Sequence, residues 1–213
     1  MSFFVGWASP ETAVHYDRAT LRQADWGRAD QVRRPKAELD WRVSRALLAA
    51  MPSGQDLLSL SHSQGHALCV SARNEVLLGV DLERIVPRDT LGFGRWVCSG
   101  SEQQALMDLA LDPDRQAEYF YLLWTVKEAF VKAAGLDFPA DMGKFGFDGS
   151  PASGLNNLRL RSPVGAWWAQ AWHLEPDWMA AVVGQGEVPC GFTWYAGPGV
   201  HLPERRCLGV WRA

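Results

Sequence analysis

The chain has 213 residues, a formal net charge of -3 at pH 7, and 47% apolar residues including 11 tryptophans. This composition favours a packed globular protein over a disordered one, and the length suffices for one large or two small hydrophobic cores. The net negative charge, without a basic stripe, excludes a general nucleic-acid-binding protein, whose phosphate contacts require an excess of Lys and Arg.

The cysteines and the first residues indicate the compartment. The four cysteines are scattered without a CxxC pair or a metal-ligand spacing, as is typical of reduced thiols in the cytoplasm; they are Cys69, Cys98, Cys190 and Cys207. The N-terminus has neither a basic leader nor a long apolar run, so we expect no signal peptide and no membrane-spanning helix. The sequence predicts a cytoplasmic protein with no membrane and no nucleic-acid partner.

The first predicted elements are a short strand at 3–8 and a helix. Apolar residues recur at helical spacing from Asp30 to Met51, and Pro52-Ser53-Gly54 ends the pattern. Several cations lie along this helix, most of them at its start: Arg33, Arg34, Lys36 and Arg45. A solvated basic helix end and a binding site for an anion both fit this pattern.

Three short apolar runs follow at 57–63, 67–72 and 76–83, with turn residues at 64–66 and 73–75 between them. Short runs separated by turn residues are typical of hairpins, so this stretch predicts an antiparallel meander.

A loop with Pro87 and Gly92-Phe93-Gly94 leads to a predicted helix at 101–111 and then to the longest predicted helix, from Asp112 to Gly135. Asp112 suits the N-cap, and Gly135 suits the left-handed residue that ends a helix. One face of this helix is predicted to be apolar, and the other carries the side chains that are candidates for a functional site. The apolar residues are Leu122, Val126, Ala129 and Ala133; the others are Trp124, Lys127, Glu128 and Lys132.

The remainder of the chain is read as short strands after a segment rich in Gly, Pro and Ser. These predicted strands span 159–161, 166–174, 179–183, 191–195 and 208–211. The order of helix, strands, helix and strands predicts an α+β fold of two lobes, 1–105 and 106–213, each with a helix packed on a small antiparallel sheet.

Asp81 and Glu83 are two residues apart on a predicted strand and therefore point to the same side. Carboxylates this close repel each other unless they share a cation, and Gly79 removes bulk where a ligand can approach. Adding Glu128 from the long helix completes a three-carboxylate site for Mg²⁺. The alternatives are a strand end that emerges into solvent and, for Glu128 with Lys132, an ordinary surface ion pair.

Two of the four lysines, Lys127 and Lys132, flank Glu128, an arrangement suited to stabilising a diphosphate during phosphoryl transfer. Ser61-His62 also suggests a hydrolase. Adjacent strand residues face opposite sides, however, so this pair cannot form a nucleophile-base hydrogen bond, and contact with a phosphate is the better interpretation.

Four segments resemble, in order and spacing, the signatures of Sfp-type 4'-phosphopantetheinyl transferases of the holo-acyl-carrier-protein synthase superfamily. They are Leu60-Ser61-His62-Ser63, Gly79-Val80-Asp81-Leu82-Glu83, Ser99-Gly100-Ser101-Glu102 and 124–132. The resemblance covers roughly 57–148. It implies a pseudo-twofold, two-lobed fold that binds coenzyme A and Mg²⁺ in the cleft between its lobes. It also implies transfer of the phosphopantetheine arm to a serine of an acyl or peptidyl carrier protein, releasing adenosine 3',5'-bisphosphate. We expect the protein to act as a monomer.

The resemblance assigns roles by position. Asp81, Glu83 and Glu128 hold Mg²⁺, and Glu128 accepts the proton of the carrier serine, either directly or through a water. Lys132, with help from Lys127, stabilises the diphosphate. The other assigned residues are Ser61 and His62 as contacts for coenzyme A phosphates, and Glu102, which either orients the site or takes part in catalysis.

The chain lacks the Gly-Lys-Pro stretch that usually precedes the Ser-His-Ser strand. Arg33, Arg34, Lys36 and Arg45 are therefore the candidates for the coenzyme 3'-phosphate, and loop arginines at 84, 88 and 95 are candidates for steering an acidic carrier. Three rival hypotheses remain: an inactive carrier-binding homologue, a metal-dependent nucleotide pyrophosphohydrolase, and a purely structural acidic cluster.

Overall fold

The computed structural model describes residues 3–52, 56–72, 76–139 and 141–213. The α-helices in these ranges are α1 (Gln23–Ala29), α2 (Pro35–Ala49), α3 (Thr90–Val97), α4 (Gly100–Asp108) and α5 (Pro113–Ala134). The strands are β1 (Phe3–Ala8), β2 (Asp56–Ser63), β3 (His66–Ala72), β4 (Leu78–Arg84), β5 (Gly146–Asp148), β6 (Arg159–Arg161), β7 (Trp167–Leu174), β8 (Trp178–Gln185), β9 (Phe192–Ala196) and β10 (Arg205–Arg212). No helix in the described ranges combines the length and apolarity needed to cross a bilayer.

The chain divides into two compact units, 1–74 with 191–202 and 75–190 with 203–213. In the first unit the sheet has the strand order β2-β3-β1-β9, and α2 packs on β3 and β1. The core between helix and sheet includes Val43, Leu47, Ala67 and Cys69. β1 pairs with β9 in parallel, so this sheet is mixed and not antiparallel as predicted.

In the second unit the main sheet has the order β10-β7-β8-β4, and every pairing in it is antiparallel. α5 packs across β4 and β8, which buries the predicted apolar stripe of Leu122, Val126, Ala129 and Ala133. α5 begins after Asp112, whose side chain accepts from the Arg115 N–H, and it ends at Gly135 with φ +62°. Both predicted ends of the long helix are therefore confirmed.

The predicted meander is wrong in its third strand. β2 and β3 form the expected hairpin, but β4 pairs with β8 in the sheet of the second unit. The predicted turn at 73–75 and two residues of the predicted helix stop, 53 and 54, lie outside the described residues. The reason for the error is that hydrophobic alternation predicts a strand without predicting its partner.

The sequence did not predict α3, and it did not predict α1 as a helix separate from α2. The predicted loop with Gly92-Phe93-Gly94 forms α3, whose first turn is capped by the Asp89 side chain. The single predicted helix from Asp30 to Met51 is α2 alone, with α1 before it. Since α3 packs on α4 and α5, the predicted boundary between 105 and 106 falls inside the second unit.

Candidate functional site

Gly79 brings β4 and α5 into backbone contact. A Cβ at this position would overlap the carbonyl oxygen of Ala129 and lie 2.7 Å from the Ala133 nitrogen, so only glycine fits. The space that the sequence analysis reserved for a ligand is filled by the helix. The close approach aligns the side of β4 that carries Asp81 with the face of α5 that carries Glu128.

Asp81 is 3% exposed and is bound by a lysine from α5. The Lys132 Nζ lies 2.8 Å from Asp81 Oδ1 and also donates to the Val80 carbonyl at 3.1 Å. Lys132 therefore pairs with β4 and not with its helical neighbour Glu128, with which no ion pair is found in the described part of the chain. This contact joins the strand and helix motifs of the sequence analysis.

The three predicted metal-binding carboxylates interact electrostatically. Burial first, and then the Asp81 carboxylate, raise the pKa of Glu83 from 4.5 to about 7; Glu128 contributes to this increase, while Arg88 and Lys132 oppose it. Burial and the Asp81 charge likewise raise the pKa of Glu128. The negative charges of Asp81 and Glu128 thus disfavour ionisation of Glu83, and the charge of Asp81 also disfavours ionisation of Glu128.

Carboxylate oxygens are the ligands that Mg²⁺ prefers, and the ion usually retains several water positions, so three neighbouring carboxylates have the chemistry of a donor set for it. As the side chains stand, no three His, Cys, Asp or Glu residues in the described ranges are close enough to ligate one ion. The Lys132 ammonium lies against Asp81 Oδ1, where a metal ion bound to that oxygen would have to lie. To hold such an ion, Lys132 would have to move from Asp81 and the three carboxylates would have to come closer together.

Lys127, expected to assist at the phosphate, is fully buried on the other side of α5. Its Nζ lies 2.9 Å from Glu102 Oε2 and donates to the carbonyls of Met142, at 2.6 Å, and Phe145. Burial lowers the pKa of Lys127, while the Glu102 charge opposes that shift. The prediction for Lys127 is corrected: a buried ammonium with these partners has no surface with which to contact a phosphate.

Glu102 is 1% exposed, and both oxygens of its carboxylate accept hydrogen bonds. Oε2 accepts from the Ser99 N–H at 2.7 Å, which completes a capping box at the start of α4, and Oε1 accepts from the Phe147 N–H at 2.9 Å. With the Lys127 ammonium as the third donor group, Arg161 on β6 is a fourth, 3.3 Å from Oε1. Glu102 therefore connects α4 and β5 to α5.

Two groups of partners were missed in the sequence. Arg161 is far from Glu102 along the chain, so no local pattern could have found it. Phe93 and Phe138 form edge contacts with Trp124, with ring centroids 6.4 Å and 6.2 Å apart, and Arg88 lies over this cluster. Because the residues of α3 were predicted to form a loop, the contact between Phe93 and Trp124 was not predicted.

Ser61 and His62 lie on β2 in the first unit. The Ser61 side chain is buried while that of His62 is half exposed, so the two face opposite sides as the alternation of a strand requires. This orientation confirms the rejection of a Ser-His hydrolase. His62 Nδ1 lies 3.9 Å from Asp40 Oδ2 on α2.

Arg33 and Lys36 lie at the start of α2 in the same unit. The Arg33 guanidinium carbon lies 3.9 Å from the centre of the Trp41 ring, and its nitrogens donate to the carbonyls of Gln31, at 2.9 Å, and Arg28. Arg33 thus fixes the segment before α2, whereas the Lys36 side chain is exposed.

Comparison with known proteins gives a family for the second unit. A model of the 4'-phosphopantetheinyl transferase superfamily matches residues 77–183, which include β4, α5 and the carboxylates. The chain is 33% identical over 124 residues to the 4'-phosphopantetheinyl transferase psf-1 of Bacillus pumilus, covering 58% of this chain and 51% of the relative. It is 36% identical over 85 residues to 4'-phosphopantetheinyl transferase Sfp of Bacillus subtilis strain 168, covering 39% of this chain and 36% of that protein.

The chain thus matches about half or less of the length of these curated relatives. A solved structure, the holo-acyl-carrier-protein synthase of Thermotoga maritima, aligns with 54% of this chain and 66% of its own at 20% identity and a TM-score of 0.36. The family model spans half of the chain, including the strand and the helix that carry the acidic site. The chain belongs to the 4'-phosphopantetheinyl transferase superfamily.

Proposed function

We propose that this protein transfers the 4'-phosphopantetheine arm of coenzyme A to a serine of an acyl or peptidyl carrier protein, releasing adenosine 3',5'-bisphosphate. The observation that carries the proposal is the acidic site between β4 and α5, inside the matched region, where burial and the charges of Asp81 and Glu128 raise the pKa of Glu83, and burial and the Asp81 charge raise that of Glu128. Lys132, 2.8 Å from Asp81, places a cation beside these carboxylates. Acidic groups that bind a metal, with a cation beside them, are the parts that phosphoryl transfer requires.

Asp81, Glu83 and Glu128 would hold Mg²⁺, with Lys132 released from Asp81. The ion would neutralise charge on the diphosphate of coenzyme A and orient it. The Gly79 contact holds the backbone of β4 against that of α5, so the two elements that carry the carboxylates are packed together.

Glu128 accepts the proton of the carrier serine as the serine oxygen attacks the β-phosphorus. The new bond joins serine to the phosphopantetheine phosphate, and the bond that breaks leaves the electron pair on the 5'-phosphate of the departing nucleotide. Glu128 extends from α5, and a carboxylate positioned on a helix can serve as this general base. Lys132, freed from Asp81, stabilises the negative charge of the leaving group.

Glu102 and Lys127 support the site indirectly in this proposal, by holding α4, α5 and β5 together. Ser61, His62, Arg33 and Lys36 are the proposed contacts for coenzyme A in the first unit. The exposed Lys36 is the cation among them best able to reach a phosphate. We propose that the protein acts as a monomer.

The test is to incubate the protein with coenzyme A, MgCl₂ and a panel of apo carrier proteins, and to follow the carriers by intact mass. A mass gain equal to the phosphopantetheine arm, lost when the carrier serine is replaced by alanine, is expected. Omitting the carrier separates this function from a pyrophosphohydrolase, which would cleave coenzyme A without it. An inactive homologue would give no mass gain with any carrier.

Metal binding is expected to stabilise the protein more at pH 8 than at pH 6. Because the pKa of folded Glu83 is raised to about 7, its contribution to stability is complete below its unfolded pKa and is lost as the pH rises through 7. Mg²⁺ competes with that proton, so it acts most strongly where Glu83 is ionised. The measurement is the shift of the melting temperature by MgCl₂ at each pH. Glu83→Gln should flatten the difference; equal shifts for the unaltered protein would contradict the carboxylate site.

A further inference from the structure

The loop that leads from β4 to α3 is fixed against α5. The Tyr121 hydroxyl donates to the Val86 carbonyl at 3.1 Å and accepts from the Val86 N–H at 3.2 Å. Three residues later the Asp89 carboxylate accepts from the Gly92 N–H at 2.8 Å and starts α3. Arg88 therefore extends from backbone that is held on both sides.

The Arg88 guanidinium lies over aromatic rings. Its central carbon is 5.0 Å from the ring centre of Phe93, 5.5 Å from that of Tyr121 and 6.0 Å from that of Trp124. Ring faces attract a cation and hold a flat guanidinium in place without neutralising it. Arg88 forms no ion pair with any residue in the described ranges, so its charge remains available.

Arg88 is placed beside the acidic site. Trp124 precedes Glu128 by four residues, so the two side chains are neighbours on one face of α5. Arg88 also follows Glu83 by five residues, in the loop that leaves β4. Lys132 lies on the Asp81 side of the same carboxylates. Lys132 from α5 and Arg88 from the loop after β4 thus both lie next to the elements that carry the acidic residues.

We infer that Arg88 is a second phosphate-binding residue of this site, which grips an oxygen of the coenzyme A diphosphate opposite Lys132. The inference rests on the proposed function and extends it to a residue outside the family motifs quoted above. A guanidinium matches phosphate with paired hydrogen bonds, and one already held by rings loses little freedom when it binds.

An acidic group of the carrier protein is the competing partner for Arg88. The half-buried position of Arg88 on the face of Trp124 favours the small substrate, since a docking protein would first meet the more exposed Trp96 and Arg95 on α3. Arg95 is the matched control, because it is an exposed arginine of the adjoining helix.

The experiment measures coenzyme A affinity by calorimetry with MgCl₂ for the unaltered protein, Arg88→Gln, Arg88→Lys and Arg95→Gln. Loss of a charge-assisted hydrogen bond predicts about a tenfold or greater weakening for Arg88→Gln. We expect partial recovery in Arg88→Lys and no change in Arg95→Gln. Melting curves confirm that each variant is folded.

Unchanged coenzyme A affinity in Arg88→Gln would overturn the inference, and a raised KM for the carrier in that variant would assign Arg88 to the protein substrate instead. Failure of the unaltered protein to bind coenzyme A would overturn it as well. Binding that depends on Arg88, without transfer to any carrier, would support the inference and remove the proposed transfer function.

Discussion

Replacing Glu128 by Gln is expected to reduce transfer of the phosphopantetheine arm by about 10²–10⁴-fold, the usual contribution of a positioned general base. The amide has nearly the same shape as the carboxylate but cannot accept the serine proton, and it provides a weaker ligand for Mg²⁺. Since Glu128 is under strain from burial and from the Asp81 charge, the neutral amide should also relieve repulsion in the metal-free protein. We therefore expect a folded protein of equal or higher stability that has lost its activity.

The measurement is the initial rate of mass gain on an apo carrier, with the melting temperature recorded for the same preparation. Glu118→Gln is the matched control, because it makes the same substitution on α5 at a residue paired with Arg206, 2.6 Å away at the protein surface. The control should transfer at the rate of the unaltered protein. Full activity in Glu128→Gln would remove this residue as base and metal ligand.

Local patterns in the sequence predicted the long helix and the side chains around the acidic site. Asp112 and Gly135 end α5 as capping chemistry requires, and alternation placed Asp81 on the side of β4 that faces this helix. These features depend on residues near one another in the chain, where spacing and conformation are directly related.

Features that depend on distant residues were missed. The sequence assigned Glu102 and Lys127 separate roles at the site and did not show that they are partners, yet the two side chains form an ion pair in the core. Gly79 looked like space for a ligand, because the sequence does not show that the backbone of α5 fills it. β4 was assigned to the wrong sheet for the same reason: its partner, β8, lies about a hundred residues later.

Lys127→Met is expected to lower the free energy of unfolding by about 3–5 kcal/mol, the cost of leaving one member of a buried ion pair without its partner. The methionine retains the volume of the lysine stem but donates nothing to Glu102 or to the carbonyls of Met142 and Phe145. Arg161, 3.3 Å from Glu102, offsets a part of the loss and places the expected value toward the lower end of that range.

Urea unfolding at pH 7 measures the effect. Lys144→Met is the control, because Lys144 pairs with Asp141 at the surface and its side chain is 73% exposed, so no measurable change is expected. Adding Glu102→Gln to Lys127→Met removes the unpaired charge and keeps an acceptor for the Phe147 N–H, so the double variant should regain part of the stability.

Coenzyme A affinity separates this structural role from the one that sequence spacing assigned to Lys127. Folded Lys127→Met, kept at low temperature, should bind coenzyme A as the unaltered protein does, because the ammonium is sealed from solvent behind Glu102. If the variant is as stable as the unaltered protein but loses coenzyme A, then Lys127 leaves the core to contact phosphate, and the buried pair with Glu102 is not what joins α4 to α5.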